Sequence, residues 1–293
     1  MVKKRLFLFA GYDAHAQVSD TLLFYLDALS GVGDIVLTMD CDLVPDEINK
    51  LNNIQKLVHV LFGRHGEYDF GSYKRGFLWC KSHDVLKSYD WIYFVNDSVF
   101  GPTSNIKPVL QKLEKQNTDV VGMFLAKNQW VGTPENKVPD HVQSWFIGVK
   151  TNIAQKKYFY EFMRNISKQP TKADIIMNYE VGLTNLLKQH KCSVSAVLTE
   201  NMDKDLYRAP LYVMQHDVPF IKKSAIKYLS PTELNENVDS GLLQIIQRNN
   251  LYKQKKYKTI KRVKLCGLLV LTQKCRLASG KNRWFLFNCL PLM

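Results

Sequence analysis

The sequence predicts an α/β fold in which a largely parallel sheet carries helices on both faces. Apolar strand-like runs alternate with amphipathic helical segments through most of the first 200 residues, which is the pattern of successive strand–helix–strand units. Such units build parallel sheets whose two faces are both covered. No internal repeat and no Gly/Ser-rich linker divides the 293 residues. We therefore expect one domain, residues 1–250, followed by a tail, residues 251–293.

The expected elements follow from short apolar runs and from helical periodicity between them. Strands are predicted at 6–10, 35–39, 56–62, 91–95, 119–124, 145–149 and 194–198. Helices are predicted at 18–29, 72–86, 106–115, 153–166 and 173–187. The polar interval 125–140 contains two prolines and is expected to be a long loop. Ser230-Pro231-Thr232-Glu233 predicts a further helix start, because the serine, proline and glutamate match a capping box.

Positive charge is concentrated in the tail. The formal net charge is +13, yet residues 251–293 contain eleven Lys or Arg and no Asp or Glu, which leaves +2 for the rest. Aromatic and aliphatic side chains are interleaved with these charges, a composition that suits an anionic membrane surface. An inert extension and a nucleic-acid-binding segment are the alternatives. The nearly neutral body argues against nucleic acid, whose binding domains usually carry a basic stripe on the fold itself.

Neither an export signal nor a membrane span is expected. The apolar run 6–10 is shorter than a signal-peptide core of about 7 residues or more, and no stretch approaches the roughly 18 apolar residues of a span. The six cysteines include no C-x-x-C pair, which argues against a zinc or redox site and favours reduced thiols. The predicted location is the cytoplasm.

Polar clusters follow four predicted strands where each strand ends. They are Gly11-Tyr12-Asp13, Asp40-Cys41-Asp42, Gly63-Arg64-His65-Gly66 and Asn96-Asp97-Ser98. Each cluster alone is typical of a turn, but ligands of open α/β sheets bind beyond the carboxyl ends of the strands. Together the four clusters predict a polar ligand with phosphates or sugar hydroxyls. Dinucleotide, P-loop, nucleophile-elbow and zinc-protease motifs do not occur.

Four longer motifs follow one another along the chain. They are Glu67-Tyr68-Asp69-Phe70-Gly71-Ser72-Tyr73-Lys74, Asn96-Asp97-Ser98-Val99-Phe100-Gly101-Pro102, His141-Val142-Gln143-Ser144-Trp145-Phe146 and Tyr179-Glu180-Val181-Gly182-Leu183-Thr184. In this order they resemble the rhamnan synthesis protein F family. Pro219-Phe220-Ile221-Lys222-Lys223 resembles the closing motif of that family, and the resemblance covers about residues 4–230. One departure is that His65-Gly66-Glu67 stands where the family usually has Asn-x-Gly, so the register of Arg64 and the donor sugar stay open.

The resemblance implies a glycosyltransferase-A-like fold for residues 1–250 and a bacterial glycosyltransferase. Its expected donor is a nucleotide-diphosphate sugar, dTDP-rhamnose or similar, and its expected acceptor is a lipid-linked or growing surface polysaccharide such as O-antigen, capsule or rhamnan. Transfer with inversion is also implied. The enzyme would be peripheral on the inner face of the cytoplasmic membrane, with the tail on the anionic lipid. A non-catalytic glycan- or polyanion-binding protein that uses the basic tail is the alternative function.

The resemblance also suggests roles for individual residues. Glu180 is the expected catalytic base, since inverting transfer needs a carboxylate aimed at the acceptor oxygen. Asp97 is expected either to bind a divalent ion, Mg²⁺ or Mn²⁺, or to lie at the donor diphosphate. An exposed helical glutamate and a strand-end turn are the alternatives for these two residues.

The remaining candidates divide into donor-binding and acceptor- or sugar-binding residues. The donor-binding set is Gly11, Tyr12, Asp13, Asp40, Asp42, Arg64, Asp69, Lys74, Asn96 and Ser98. The acceptor or sugar set is His141, Gln143 and Ser144. Asp69 could equally cap the helix that follows it, and Lys74 could equally be an exposed helical lysine.

Overall fold

A computed structural model of the protein describes residues 3–130 and 135–249, together with the backbone of four strands beyond residue 256. The described residues before 250 form ten strands: β1 (Arg5–Gly11), β2 (Asp34–Met39), β3 (Leu57–Phe62), β4 (Trp91–Asn96), β5 (Val99–Phe100), β6 (Val120–Lys127), β7 (His141–Val142), β8 (Phe146–Lys150), β9 (Val194–Asn201) and β10 (Ile221–Lys222). All seven strands predicted from the sequence are present, within two residues at each start.

Eight of these strands form one central sheet in the order β3-β2-β1-β4-β8-β6, with β9 pairing along β6 and the short β7 pairing at the end of β6. Strands β3, β2, β1 and β4 are parallel to one another, as are β6 and β9. Strand β8 is antiparallel to both of its neighbours, β4 and β6. The mostly parallel sheet predicted from the sequence is therefore confirmed.

Helices cover both faces of the sheet, as predicted. They are α1 (Asp20–Ser30), α2 (Pro45–Asn49), α3 (Tyr68–Ser82), α4 (Lys107–Lys115), α5 (Thr151–Ala154), α6 (Lys157–Arg164), α7 (Lys172–Ile175), α8 (Gly182–Gln189), α9 (Pro210–Gln215), α10 (Pro231–Asn237) and α11 (Ser240–Arg248). The two-residue alternation of β1 sends Phe7 and Phe9 into the core beneath α1 and sends Leu6 and Leu8 into the core beneath α3. Both faces of the strand are thus buried, which explains its unbroken apolar sequence.

Several helix boundaries differ from the prediction. Helix α3 begins at Tyr68, earlier than expected, and the segment expected as one helix at 153–166 is two, α5 and α6. The predicted helix 173–187 is interrupted by a π-helical turn, Ile176–Val181, that joins α7 to α8. The capping boxes at Thr171 and Ser230 are both formed, each closed by an acidic side chain three residues on.

The backbone of the tail contains strands that the sequence analysis did not predict. Strands β11 (Tyr257–Leu265), β12 (Leu268–Arg276), β13 (Asn282–Leu286) and β14 (Leu290–Pro291) pair in that order into an antiparallel sheet. The structure does not describe the aromatic and basic side chains of the tail that were predicted to contact a membrane. Within the described residues, no helix is both long and apolar enough to cross a bilayer.

The cysteines whose side chains are described are free thiols. Cys41, Cys80 and Cys192 are all buried and form no disulfide, which agrees with the prediction of reduced cysteines for these three residues. The other three cysteines fall where side chains are not described. Burial raises the pKa of the Cys80 thiol to about 12, so this group stays protonated and packs as a small apolar side chain.

Candidate functional site

A cavity of about 820 Å³ lies beyond the carboxyl ends of the parallel strands. It is bordered by the residues that follow β1, β2 and β4, by the start of α3, by the turn between β7 and β8, and by the π-helical turn. The cavity brings together twelve of the fifteen residues predicted from the sequence: Gly11, Tyr12, Asp40, Arg64, Asp69, Asn96, Asp97, Ser98, His141, Gln143, Ser144 and Glu180. The carboxyl ends of parallel strands share one edge of the sheet, and this geometry produces the convergence.

Three predicted donor-binding residues lie outside the cavity lining. Asp13 closes its own turn, where Oδ1 accepts hydrogen bonds from two backbone N–H groups. Asp42 accepts a hydrogen bond from the backbone of Arg64 at 3.1 Å, which holds the loop after β3. Lys74 donates to the carbonyl oxygen of Ile166 at 2.6 Å. These side chains support the walls of the site.

Asp40 organises the loop that follows β3. Its Oδ1 accepts from the backbone N–H groups of His65 and Gly66 at 2.6 and 3.0 Å, and its Oδ2 accepts from Arg64 Nη1 at 2.6 Å. Burial alone would raise the pKa of Asp40, but these backbone hydrogen bonds and the nearby cationic side chain lower it. Asp40 is therefore an ionised anchor for the loop, and the guanidinium of Arg64 extends from it into solvent.

His65 is held neutral beneath this loop. Burial and the charge of Arg75 lower the pKa of His65 to about 4. Its Nδ1 accepts from the backbone N–H of Glu67 at 3.1 Å, so Nε2 carries the proton and donates to Ser72 Oγ at 3.0 Å. The ring therefore links the loop after β3 to Ser72 on α3.

The turn after β4 is a compact polar network. Asn96 Nδ2 donates to Asp69 Oδ2 at 2.7 Å, and Asn96 Oδ1 accepts from the backbone and hydroxyl groups of Ser98. Asp97 Oδ2 accepts from the backbone N–H of Tyr12 at 3.4 Å. Desolvation raises the pKa of both Asp69 and Asp97. Asp69 does not cap α3 in the usual way, because its carboxylate faces Asn96 and the cavity.

Glu180 lies on the π-helical turn and faces the turn between β7 and β8. Its Oε2 accepts from the backbone N–H of Ser144 at 2.8 Å and also from the Ser144 hydroxyl, while its Oε1 lies 3.3 Å from His141 Nε2. Burial opposes ionisation, but His141 and Ser144 lower the pKa of Glu180 below its usual value. Burial also opposes the charge on His141, yet Glu180 raises the pKa of that ring. Both shifts favour an ionised carboxylate beside a protonated ring, although the geometry between Oε1 and Nε2 is that of an ion pair and not of a hydrogen bond.

The segment 141–145 is anchored from both sides. Tyr73 donates to the Ser144 carbonyl oxygen at 2.8 Å, and Thr184 Oγ1 accepts from the backbone of Val142 at 3.2 Å. Gln143 accepts from the indole N–H of Trp145 at 3.0 Å. This segment therefore presents its polar groups from a rigid support, which a binding surface needs for precise contacts.

Gly11 was expected to be one of the donor-binding residues. A Cβ at this position would overlap the Met39 sulfur on β2. Packing against Met39 within the sheet therefore explains why this position is a glycine, although the residue also borders the cavity.

Several cavity residues had no predicted role. They include Trp130, Lys168, Gln169, Lys172, Tyr207 and Lys222. Only Lys222 belonged to a motif singled out in the sequence, the closing segment 219–223, and that motif carried no chemical assignment. The others lie in loops and short helices without a distinctive pattern, so sequence reasoning had no signal for them.

The residues around Asp97 suit an anion better than a resident divalent cation. Within the described parts of the chain, no three His, Cys, Asp or Glu side chains come together as metal ligands. Asp97 Oδ2 instead faces the ammonium of Lys223 at 3.5 Å, and Lys222 Nζ donates to Ser98 Oγ at 2.7 Å. Two ammonium groups thus flank the turn where the sequence predicted either a divalent ion, Mg²⁺ or Mn²⁺, or the donor diphosphate.

Comparison with known families gives one extended match. The model of the rhamnan synthesis protein F family matches residues 35–272, which is most of the chain. The match begins later than the resemblance noted in the sequence and continues into the basic tail, which that analysis had placed outside it. A curated relative, an uncharacterised protein y4gN of Sinorhizobium fredii, is 26% identical over 134 residues, and these cover 45% of this chain but only 33% of that protein.

Solved structures with similarity to this chain include several with transferase names. A Desulfovibrio desulfuricans protein assigned as a nucleotide-diphospho-sugar transferase aligns with a TM-score of 0.43 and 11% identity, over 85% of this chain and 96% of that one. Residues 1–349 of Staphylococcus aureus TarS align with a TM-score of 0.37 and 12% identity, over 84% and 72%. Core-mannan synthase A of Aspergillus fumigatus, solved in a Mn/GDP form, aligns with a TM-score of 0.34 and 7% identity, over 69% and 73%.

Proposed function

Because the chain belongs to the rhamnan synthesis protein F family, we propose that it is a glycosyltransferase with a nucleotide-diphosphate sugar as donor. The sugar is rhamnose or a similar hexose, and the acceptor is a lipid-linked or growing bacterial surface polysaccharide. The single observation that carries the proposal is that Asp97 and Glu180 line one cavity of about 820 Å³. This size is within the range of small-molecule and cofactor sites.

Glu180 is the base in this proposal. Its lowered pKa keeps the carboxylate ionised at neutral pH, which is the state that accepts a proton from the acceptor hydroxyl. The acceptor must compete with the Ser144 hydroxyl for Oε2, since that hydroxyl already donates to it. Attack from the Glu180 side, opposite the departing diphosphate, gives inversion.

The donor occupies the side of the cavity formed by β1, β2 and β4. Asp97 and Ser98 mark the position of the diphosphate. Arg64 and Tyr12 mark the position of the nucleotide, because the guanidinium lies 4.9 Å from the centroid of the tyrosine ring and the ring is 49% exposed. An exposed aromatic face beside a fixed cation offers stacking to a base and charge to a phosphate.

The location proposed for the enzyme is the inner face of the cytoplasmic membrane. The eleven basic residues of 251–293 and the absence of acidic ones there support this placement. Anionic lipid attracts such a segment with about 1 kcal/mol per basic residue near the surface. A lipid-linked acceptor would then be held at the same surface as the enzyme.

The test begins with a thermal-shift panel of nucleotide sugars, followed by turnover measured as release of the nucleoside diphosphate. Glu180→Ala should lower kcat by about 10²–10⁴-fold, the range for loss of a positioned base. Asp97→Ala should lower kcat/KM by about 10–100-fold, because the Lys223 ammonium loses the carboxylate that holds it beside the turn. Glu161→Ala, which removes an exposed carboxylate on α6, is the matched control and should behave as wild type.

Two results would contradict the proposal in different ways. If no nucleotide sugar stabilises the wild-type protein or is turned over, the chain is not a transferase of this class, and polyanion binding by the tail becomes the better account. If Glu180→Ala turns over as fast as Glu161→Ala, Glu180 is not the base. Circular dichroism of each variant verifies that the fold is retained.

A further inference from the structure

Strand register places a lysine directly beside the turn that follows β4. Strand β10 pairs antiparallel with β5, and Lys222 lies opposite Val99. Because β5 begins one residue after the Asn96–Ser98 turn, this pairing brings Lys222 Nζ to 2.7 Å from Ser98 Oγ. Two strands of two residues each thus join parts of the chain that are more than 120 residues apart.

Lys222 has unused hydrogen-bonding capacity inside the cavity. Its ammonium has three N–H groups, and its one direct hydrogen bond within the described residues goes to the neutral Ser98 hydroxyl. No described carboxylate lies within ion-pair distance of it, although Asp69, Asp97 and Glu180 surround it at longer range. The ring of Tyr207 lies 5.3 Å from Nζ. Desolvation lowers the pKa of Lys222 to about 8, the mark of a cation without a close anionic partner.

Lys223 supplies a second ammonium on the other side of the same turn. Its Nζ lies 3.5 Å from Asp97 Oδ2 and 5.8 Å from the centroid of the Phe100 ring. Asp97 therefore holds Lys223 close to the turn, while Lys222 points into the cavity. Lys222 brings a positive charge to the position expected for the donor diphosphate. Lys223 does not line the cavity, but its ammonium adds a second positive charge beside the same turn.

We propose that Lys222, with Lys223 beside it, binds the diphosphate of the donor and neutralises it as it departs, so that transfer requires no divalent ion. This inference rests on the proposed function and adds residues to it. In the step, a bond forms between the acceptor oxygen and the anomeric carbon, and the bond from that carbon to the diphosphate oxygen breaks. The bonding electron pair leaves on the diphosphate, where the Lys222 ammonium donates to it, and the acceptor proton moves to Glu180.

Diphosphate binding in excess EDTA tests the assignment without requiring turnover. Isothermal titration calorimetry with dTDP, UDP and GDP identifies the diphosphate that the wild type binds, and the matching nucleoside monophosphate is then titrated for comparison. Lys222→Met should weaken diphosphate binding by about 10–100-fold, the loss expected for a charged hydrogen bond, and should weaken monophosphate binding much less. Lys222→Arg should recover part of the loss because the charge is kept.

Lys227→Met is the matched control, because Lys227 is an exposed lysine of the same segment that contacts only the Tyr228 ring among the described interactions. It should bind diphosphate as wild type does. Thermal unfolding of each variant separates a binding defect from a folding defect. If Lys222→Met does not fold, the comparison of Lys222→Arg and Lys223→Met with the control decides the question.

Turnover in EDTA gives the second readout. Wild type should keep its rate after metal removal, and added Mg²⁺ or Mn²⁺ should not increase that rate by more than about twofold. The inference is overturned if EDTA abolishes turnover and either ion restores it, or if Lys222→Met binds diphosphate as wild type does. If wild type turns over no nucleotide sugar at all, the proposed function fails, while the calorimetric comparison still decides whether Lys222 binds diphosphate.

Discussion

Arg5 and Glu114 form a buried ion pair at the end of the sheet opposite the cavity. Arg5 Nε and Nη2 donate to the two carboxylate oxygens at 2.6 and 2.7 Å, and the Tyr93 hydroxyl donates to Oε1 at 2.8 Å. Both charged side chains are less than 5% exposed. In the sequence Arg5 is the last residue of the basic run Lys3-Lys4-Arg5, and Glu114 lies in an ordinary amphipathic helix. Their pairing across 109 residues depends on how α4 packs, which no local pattern reveals.

Removing one partner of this pair should be costly. Glu114→Ala leaves the Arg5 guanidinium buried without a counter-charge, and we expect the free energy of unfolding to fall by about 3–5 kcal/mol. Urea denaturation followed by circular dichroism measures the change. Lys115→Ala, at the next position and exposed, should stay within about 0.5 kcal/mol of wild type. Equal stabilities for the two variants would show that the ion pair contributes little.

Elements with a strong apolar signature were predictable, and short elements defined by distant partners were not. The central strands each bury both faces, so the printed sequence shows them as continuous apolar runs. Strands β5 and β10 have two residues each and exist because they pair with each other. The π-helical turn that carries Glu180 has the composition of an ordinary helix, so nothing in its residues distinguishes it from the α-helical segments on either side.

The contact between the β7–β8 turn and the π-helical turn should control the acid limb of the pH–rate profile. The Ser144 hydroxyl donates to Glu180 and stabilises its ionised form. Ser144→Ala removes this donor, so the pKa of Glu180 should rise. As the base must be ionised to act, kcat/KM should begin to fall at a higher pH than in wild type when the solution is acidified.

The measurement is a kcat/KM profile from about pH 3 to 7, an interval that extends below the ordinary carboxyl pKa of about 4, for wild type and Ser144→Ala. Ser167→Ala changes a serine that contacts Tyr179 and not Glu180, so it serves as the control. An acid limb that stays in place, or moves to lower pH, would mean that Glu180 is not the group whose ionisation limits the rate.

At the scale of the whole molecule, the position of the cavity could be predicted and its full lining could not. Residues that end parallel strands must share one edge of the sheet, so the polar clusters after β1, β2 and β4 predicted the edge at which the cavity lies. The lining also includes Lys172, Tyr207 and Lys222, which belong to a short helix, a turn and a two-residue strand. Their placement depends on tertiary packing over long sequence separations, and a single sequence carries little information about that.

The uneven charge of the chain leads to a prediction about the proposed contact with the membrane. The body carries a net charge of +2 and the tail +11, so lipid binding should depend on tail lysines and on anionic headgroups. Vesicle sedimentation of the full chain checks this with one variant in which Lys253, Lys255, Lys256 and Lys258 are changed to Gln. With about 1 kcal/mol per lysine at the surface, affinity for phosphatidylglycerol vesicles should fall by up to about 10³-fold.

The control removes the same number of charges from the body, through Lys115, Lys156, Lys191 and Lys227 changed to Gln. This variant has the same net charge as the tail variant, so a general electrostatic effect would weaken both equally. The tail proposal requires that only the tail variant loses binding, and that raising the salt concentration removes the difference, because screening shortens the range of attraction. Equal binding by the two variants would place the membrane contact outside the tail. Equal binding of wild type to neutral phosphatidylcholine vesicles would exclude an electrostatic contact with anionic lipid.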